Sequence, residues 1–131
     1  MQPSIIFRPL KIPNAIYDVY YVIENGRSVV MDEFRKLQRD EQDLIKDLIT
    51  KMATSRNFQS KKIRYNLKSY NYGEIKPSGH RFFFFQKCGN NYIFFDHRMK
   101  KSNSLPNQEY QRISKSKERY EQAFEAFIRR P

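Results

Sequence analysis

The chain has 131 residues, 39% of them hydrophobic and 15% aromatic, which suits one domain burying about two-thirds of its extended surface and leaves too little for a second core. Its 25 Lys and Arg outweigh 14 Asp and Glu for a formal net charge of +11, which argues against a small neutral substrate and for a polyanion or a strongly acidic protein as partner. The lone cysteine, Cys88, excludes an internal disulfide and a multi-cysteine metal site and fits a reducing compartment.

In chain order, residues 1–14 are punctuated by Pro3, Pro9 and Pro13, which remove amide donors and predict an extended arm over the surface of the domain at 1–131. With Arg8 and Lys11, these prolines also break any run of signal-peptide length. No stretch approaches a membrane span, the longest aromatic run being Phe82 to Phe85, so the expectation is a cytoplasmic protein with no membrane contact. Ile16 to Ile23 is β-branched and aromatic and ends at Glu24-Asn25-Gly26, a strand followed by a turn. Ser28 is placed to cap a helix, with Asp32 and Glu33 at the positive end of its dipole. Val30, Phe34, Leu37, Leu44 and Leu48 then follow helical spacing, which either one long helix or a helical pair broken near Arg39-Asp40 satisfies. Residues 54–71 read as a basic connector.

Tyr72 to Lys76 is a short extended segment, Pro77-Ser78-Gly79 a turn, and His80 to Gln86 an aromatic strand. Cys88-Gly89-Asn90 turns the chain back into a second strand, Asn91 to Arg98, making a hairpin whose Gly-Asn-Asn turn supplies positive φ at little cost. Pro106 opens a helix in which Ile113, Tyr120, Phe124 and Phe127 share one face. The expected fold is α+β, a small antiparallel sheet with helices on one face. Strand alternation puts Arg81, Phe83 and Phe85 on one side and His80, Phe82 and Phe84 on the other.

The excess charge is segregated. Residues 1–55 hold eight basic and eight acidic side chains, whereas residues 56–131 hold seventeen and six. A basic face is therefore expected in the later part, where aromatics interleaved with cations suit unpaired nucleotides. The candidate RNA contacts are Lys61, Lys62, Lys76 and Arg98, with Phe83 and Phe85 as stacking surfaces. Metal-independent RNA cleavage needs a base for the 2′-hydroxyl, charge stabilisation at phosphorus and an acid for the 5′-oxygen. Arg81 can hold phosphate through its fork, Lys100 and Lys101 add charge or move protons, His97 titrates nearest neutral pH, and Glu74 or Asp96 can act as a base. Two histidines seventeen residues apart and one cysteine give no metal-ligand spacing, and neither a phosphate-cradling glycine loop nor a nucleophile motif is present, so no cofactor is expected.

Several of these elements occur in a familiar order: Glu74 on a strand, Gly79-His80-Arg81 leading into Phe82-Phe83-Phe84, a last strand at Tyr92 to Phe95, then Lys100-Lys101-Ser102-Asn103-Ser104-Leu105-Pro106 entering a helix. Over roughly the second half of the chain this resembles the RelE/HigB superfamily of type II toxin–antitoxin toxins, in particular its phage-derived HigB-like branch. The chain departs from the pattern where Arg98-Met99 precedes the lysine pair, where His80 replaces a tyrosine and where Leu105 replaces a hydroxyl residue. The resemblance implies a RelE-like fold and a cofactor-free endoribonuclease that cleaves mRNA on the ribosome and is restrained by a cognate antitoxin. It also implies that Arg81 meets the scissile phosphate, that Lys100 and Lys101 contact RNA or ribosome, and that His97 or Arg98 assists. Two other readings remain: a non-enzymatic gyrase inhibitor of the same fold, as in the ParE branch, and a basic RNA-binding module.

Overall fold

Alternation in the two aromatic strands sets the architecture. The computed structural model describes residues 4–67, 69–100 and 105–129. The elements run β1 (Ile5–Leu10), β2 (Asp18–Glu24), α1 (Val29–Arg35), α2 (Arg39–Thr54), β3 (Ile63–Arg64), β4 (Gly73–Ile75), β5 (His80–Lys87), β6 (Asn91–Met99) and α3 (Asn107–Ile128). They form one six-stranded sheet in the order β1-β2-β6-β5-β4-β3. The fold is α+β and its strand pairings are antiparallel except for β2 beside β6, which is parallel.

The helices cover both faces rather than one, because both faces of β5 and β6 are apolar. Phe82 and Phe84 join Val30, Leu37, Ile45 and Leu48 in one core, beneath α1 and α2. Phe83 and Phe85 join Phe7, Ile113, Tyr120 and Phe124 in a second, beneath α3. All four phenylalanines of the run are at most 2% exposed, each contributing roughly 1.5–3 kcal/mol of burial free energy. A strand apolar on both sides needs a cover on both sides.

The expected N-terminal arm is instead the edge strand β1, antiparallel to β2 with Phe7 opposite Val22. Proline is tolerated at an edge, where one side of the strand has no partner to receive its amide; Pro9 lies opposite Tyr20. Phe7 anchors the strand, its ring centroid 5.0 Å from that of Phe124.

The helical stripe is two helices. Ser28 Oγ accepts from the Met31 amide at 3.2 Å and starts α1. Gln42 donates its side-chain amide to the carbonyls of Phe34 (3.1 Å) and Leu37 (3.3 Å), satisfying carbonyls that a continuous helix would have bonded itself. Within the basic connector, Ile63–Arg64 pairs with β4. In the hairpin turn, positive φ falls on Cys88 and Gly89 rather than on the asparagines. Pro106 takes the N-cap position of α3, one residue before its first turn.

Candidate nucleic-acid interface

The ends of β3 to β6 that lie near the start of α3 carry cations in register. Arg64 pairs with Glu74, Glu74 with Phe83 and Phe83 with Asp96, so these side chains project to the α3 side of the sheet. One alternation further along, Arg81 lies opposite Arg98. Beyond the paired strands, the Lys76 amide donates to the Lys62 carbonyl and the Lys100 amide to the Gly79 carbonyl, both at 2.8 Å. The alternation therefore continues and adds Lys62, Lys76 and Lys100 to the same face. Gly73 permits this close approach: a Cβ there would meet the carbonyl oxygens of Arg64 and Tyr65.

One carboxylate sits beneath these cations. Glu74 is 1% exposed, its Oε2 3.8 Å from Arg81 Nε, and neither of its oxygens nor that Nε has a hydrogen-bond partner. Arg81 instead donates through Nη1 to the carbonyls of Ser78 (2.5 Å) and His80 (3.0 Å). Its guanidinium is aimed by backbone carbonyls and balanced only partly by Glu74. Burial and the neighbouring Arg64 push the Lys76 ammonium below its ordinary range, and burial with Arg81 does the same to Lys100. Glu74 opposes both shifts.

Arg98, a candidate RNA contact, is committed elsewhere. Its Nε donates to Glu109 at 2.9 Å and its Nη1 to Asp96 at 2.8 Å, tying β6 to the first turn of α3. Burial works against its charge and these bonds more than offset it, so its guanidinium is held above its ordinary range. Asp96 is likewise engaged, also accepting from the His97 amide at 2.8 Å, and burial raises its carboxyl above the usual range.

His97 does not join the set. It lies opposite Phe82, on the α1 side of the sheet. It is 8% exposed, with Nε2 2.9 Å from His80 Nδ1 and Nδ1 3.7 Å from Glu33 Oε1. Burial lowers its pKa to about 4. The reason is parity: 97 is one residue from 98, and a strand sends successive side chains to opposite faces. Phe83 and Phe85, expected as stacking surfaces, are 0% and 1% exposed beneath α3 and present no ring to solvent. Lys61 is exposed in the turn before β3, and Lys101 lies outside the described residues.

The structure thus brings together Arg81, Glu74, Lys76, Lys100 and Lys62, and adds Arg64, which sequence reasoning left in a connector. The available signal was alternation, Lys62, Arg64 and Asn66 interleaving with Ile63, Tyr65 and Leu67, a strand period obscured by the polar and basic residues before it. Among the described residues no three His, Cys, Asp or Glu side chains come together as a metal site, and no helix is long and apolar enough to cross a membrane. Chemically the face offers a guanidinium fixed through Nη1 that can meet a phosphate through Nη2, two ammonium groups held below their ordinary range and further diffuse positive charge. No protein-family model matches the chain, and no curated protein matches it significantly.

Proposed function

We propose that this chain is a RelE/HigB-like toxin, an endoribonuclease that cleaves mRNA on the ribosome and is held inactive by a cognate acidic antitoxin covering the basic face. The observation that carries this reading is Arg81: a largely buried guanidinium aimed by two backbone carbonyls, with Lys76, Lys100 and Arg64 around it and a single carboxylate below. A guanidinium preorganised among cations suits a phosphate that gains charge as the 2′-oxygen attacks.

In this mechanism Arg81 holds the non-bridging oxygens. One lysine of the Lys76/Lys100 pair, in its neutral form, takes the 2′-hydroxyl proton, and the other, as ammonium, gives a proton to the departing 5′-oxygen. Attack closes the 2′,3′-cyclic phosphate and releases the 5′-hydroxyl fragment. Glu74 is buried too deeply to touch RNA and acts as a positioning residue beneath Arg81. Because the base is a lysine that must lose its proton, the cleavage rate rises as pH is raised from neutrality, until the lysine that serves as acid loses its proton as well.

The test is mapping of mRNA 5′ ends after adding purified protein to a translation reaction, beside matched reactions without ribosomes and with Arg81→Ala. Ribosome-dependent ends that vanish in the mutant are the expected result, and ends without ribosomes would keep the nuclease and discard the ribosomal setting. A second reading, a basic RNA-binding module that does not cleave, is favoured by one observation: His97, the histidine expected as acid or base, lies on the opposite face of the sheet, where burial lowers its pKa to about 4. Salt-dependent RNA binding with no new ends would select it.

A further inference from the structure

Beneath α1 and α2 lies an apolar cavity of about 170 Å³ whose walls include Leu10, Tyr21, Phe34, Ile45, Phe82 and Phe94. These residues come from β1, β2, α1, α2, β5 and β6, so it is a pit closed from several sides rather than a groove along one helix. No polar surface lines it. Protein interiors leave few voids larger than a water molecule, and an engineered apolar cavity of roughly 150 Å³ stays dry and takes up benzene. A space of this size accommodates one aromatic ring or an aliphatic chain of about seven carbons.

One cation lines the cavity and a second lies on the neighbouring edge strand. Lys46 lines the cavity, is exposed on α2 and holds its ammonium 5.9 Å from the Phe34 ring centroid. Arg8, also exposed, is the cross-strand partner of Tyr21. Among the described residues neither cation meets a carboxylate at ion-pair distance. An apolar pit with an unpaired lysine at its opening is complementary to a ligand with an apolar tail and an anionic head. We propose that this cavity binds a small amphipathic monocarboxylate, its tail of about seven carbons filling the pit and its carboxylate meeting Lys46. This assignment is independent of the basic face, which lies on the other side of the sheet.

The experiment is a titration of the full chain, carrying labelled isoleucine methyl groups, with octanoate and separately with octanol. The expected result is saturable shifts at Ile45 and Ile49 at roughly 0.1–1 mM ligand, with Ile93 and Ile113 in the opposite core unmoved. Lys46→Glu weakens octanoate about fivefold and leaves octanol unchanged. Ile49→Phe, which fills the pit, abolishes both while the melting temperature is retained. Absence of saturable shifts at Ile45 and Ile49, or equal shifts in the opposite core, overturns the site. Octanoate binding indifferent to Lys46→Glu overturns the carboxylate assignment. Should the phenylalanine variant not fold, the Lys46 comparison still decides the matter.

Discussion

The two faces of the β5–β6 hairpin end are built from neighbouring residues and do opposite things. On the α3 side, Arg81, Lys100 and their neighbours share one buried carboxylate and leave positive charge facing outward. On the α1 side, His80 and His97 bond to one another beside Glu33, with His97 buried. Adjacency in sequence therefore says little about adjacency in a site when the residues lie on a strand: His80 and Arg81 are separated by the sheet itself. The same contrast recurs within the charged face. Arg81 and Arg98 are cross-strand partners, yet Arg98 is hydrogen-bonded to two carboxylates and Arg81 to none.

The largest expected effects come from exchanging each arginine for lysine, which keeps the charge and removes the fork. Arg81→Lys lowers RNA cleavage about 100-fold with little change in stability. Arg98→Lys does the reverse: it can no longer join Asp96 to Glu109, costing about 1–2 kcal/mol in denaturant unfolding while cleavage is retained. Equal loss of cleavage in both variants would remove the distinction between a free and a committed arginine.

Gly73→Ala is expected to cost about 3 kcal/mol, because a Cβ 2.5 Å from the Tyr65 carbonyl forces β3 away from β4. Since Arg64 travels with β3, RNA affinity falls as well. A variant with native stability and native affinity would show that the close approach is dispensable.

The histidine side gives a pH signature. The folded-state pKa of His97, about 4, lies below its ordinary value of 6.5, so below pH 6.5 the unfolded chain takes up a proton before the folded one does. Stability is therefore full above about pH 6.5 and declines as pH falls towards 4, by on the order of 2 kcal/mol after solvent screening. His97→Gln flattens that interval in unfolding curves measured across it, and leaves RNA cleavage at pH 7.5 unchanged within about twofold. Cleavage that collapses in this variant would return His97 to the active face.

Much of this was legible from residue types and their period. The α+β class, the aromatic hairpin, the Ser28 cap and the Ile113-Tyr120-Phe124 stripe of α3 all rest on local preferences that the packing agrees with. Alternation also separated Arg81, Phe83 and Phe85 from their neighbours, but it cannot say what covers a face, and α3 buried the rings expected to stack on bases. The parallel pairing of β2 with β6 joins segments about seventy residues apart and has no local signature. The first strand was hidden because proline reads as a strand breaker until its position is known to be an edge. At the site, charge type was readable and availability was not: nothing local to Arg98 announces Glu109, which reaches it from the next helix.

The smallest expected effect concerns the rim of the basic face. Lys62 is exposed and its ammonium is 3.4 Å from the Pro77 carbonyl, with no acidic partner among the described residues. A lysine placed there neutralises one phosphate without reading sequence, so its removal acts through counterion release. Lys62→Ala is expected to weaken single-stranded RNA binding about two- to threefold near physiological salt and to reduce the slope of log affinity against log salt by about 0.7. Lys51→Ala, on α2 across the sheet and paired with Asp47 at 3.0 Å, serves as the matched control and leaves the slope unchanged. If both substitutions reduced the slope alike, binding would depend on total charge rather than on one face of the sheet, and the contrast between the two sides would hold for packing alone.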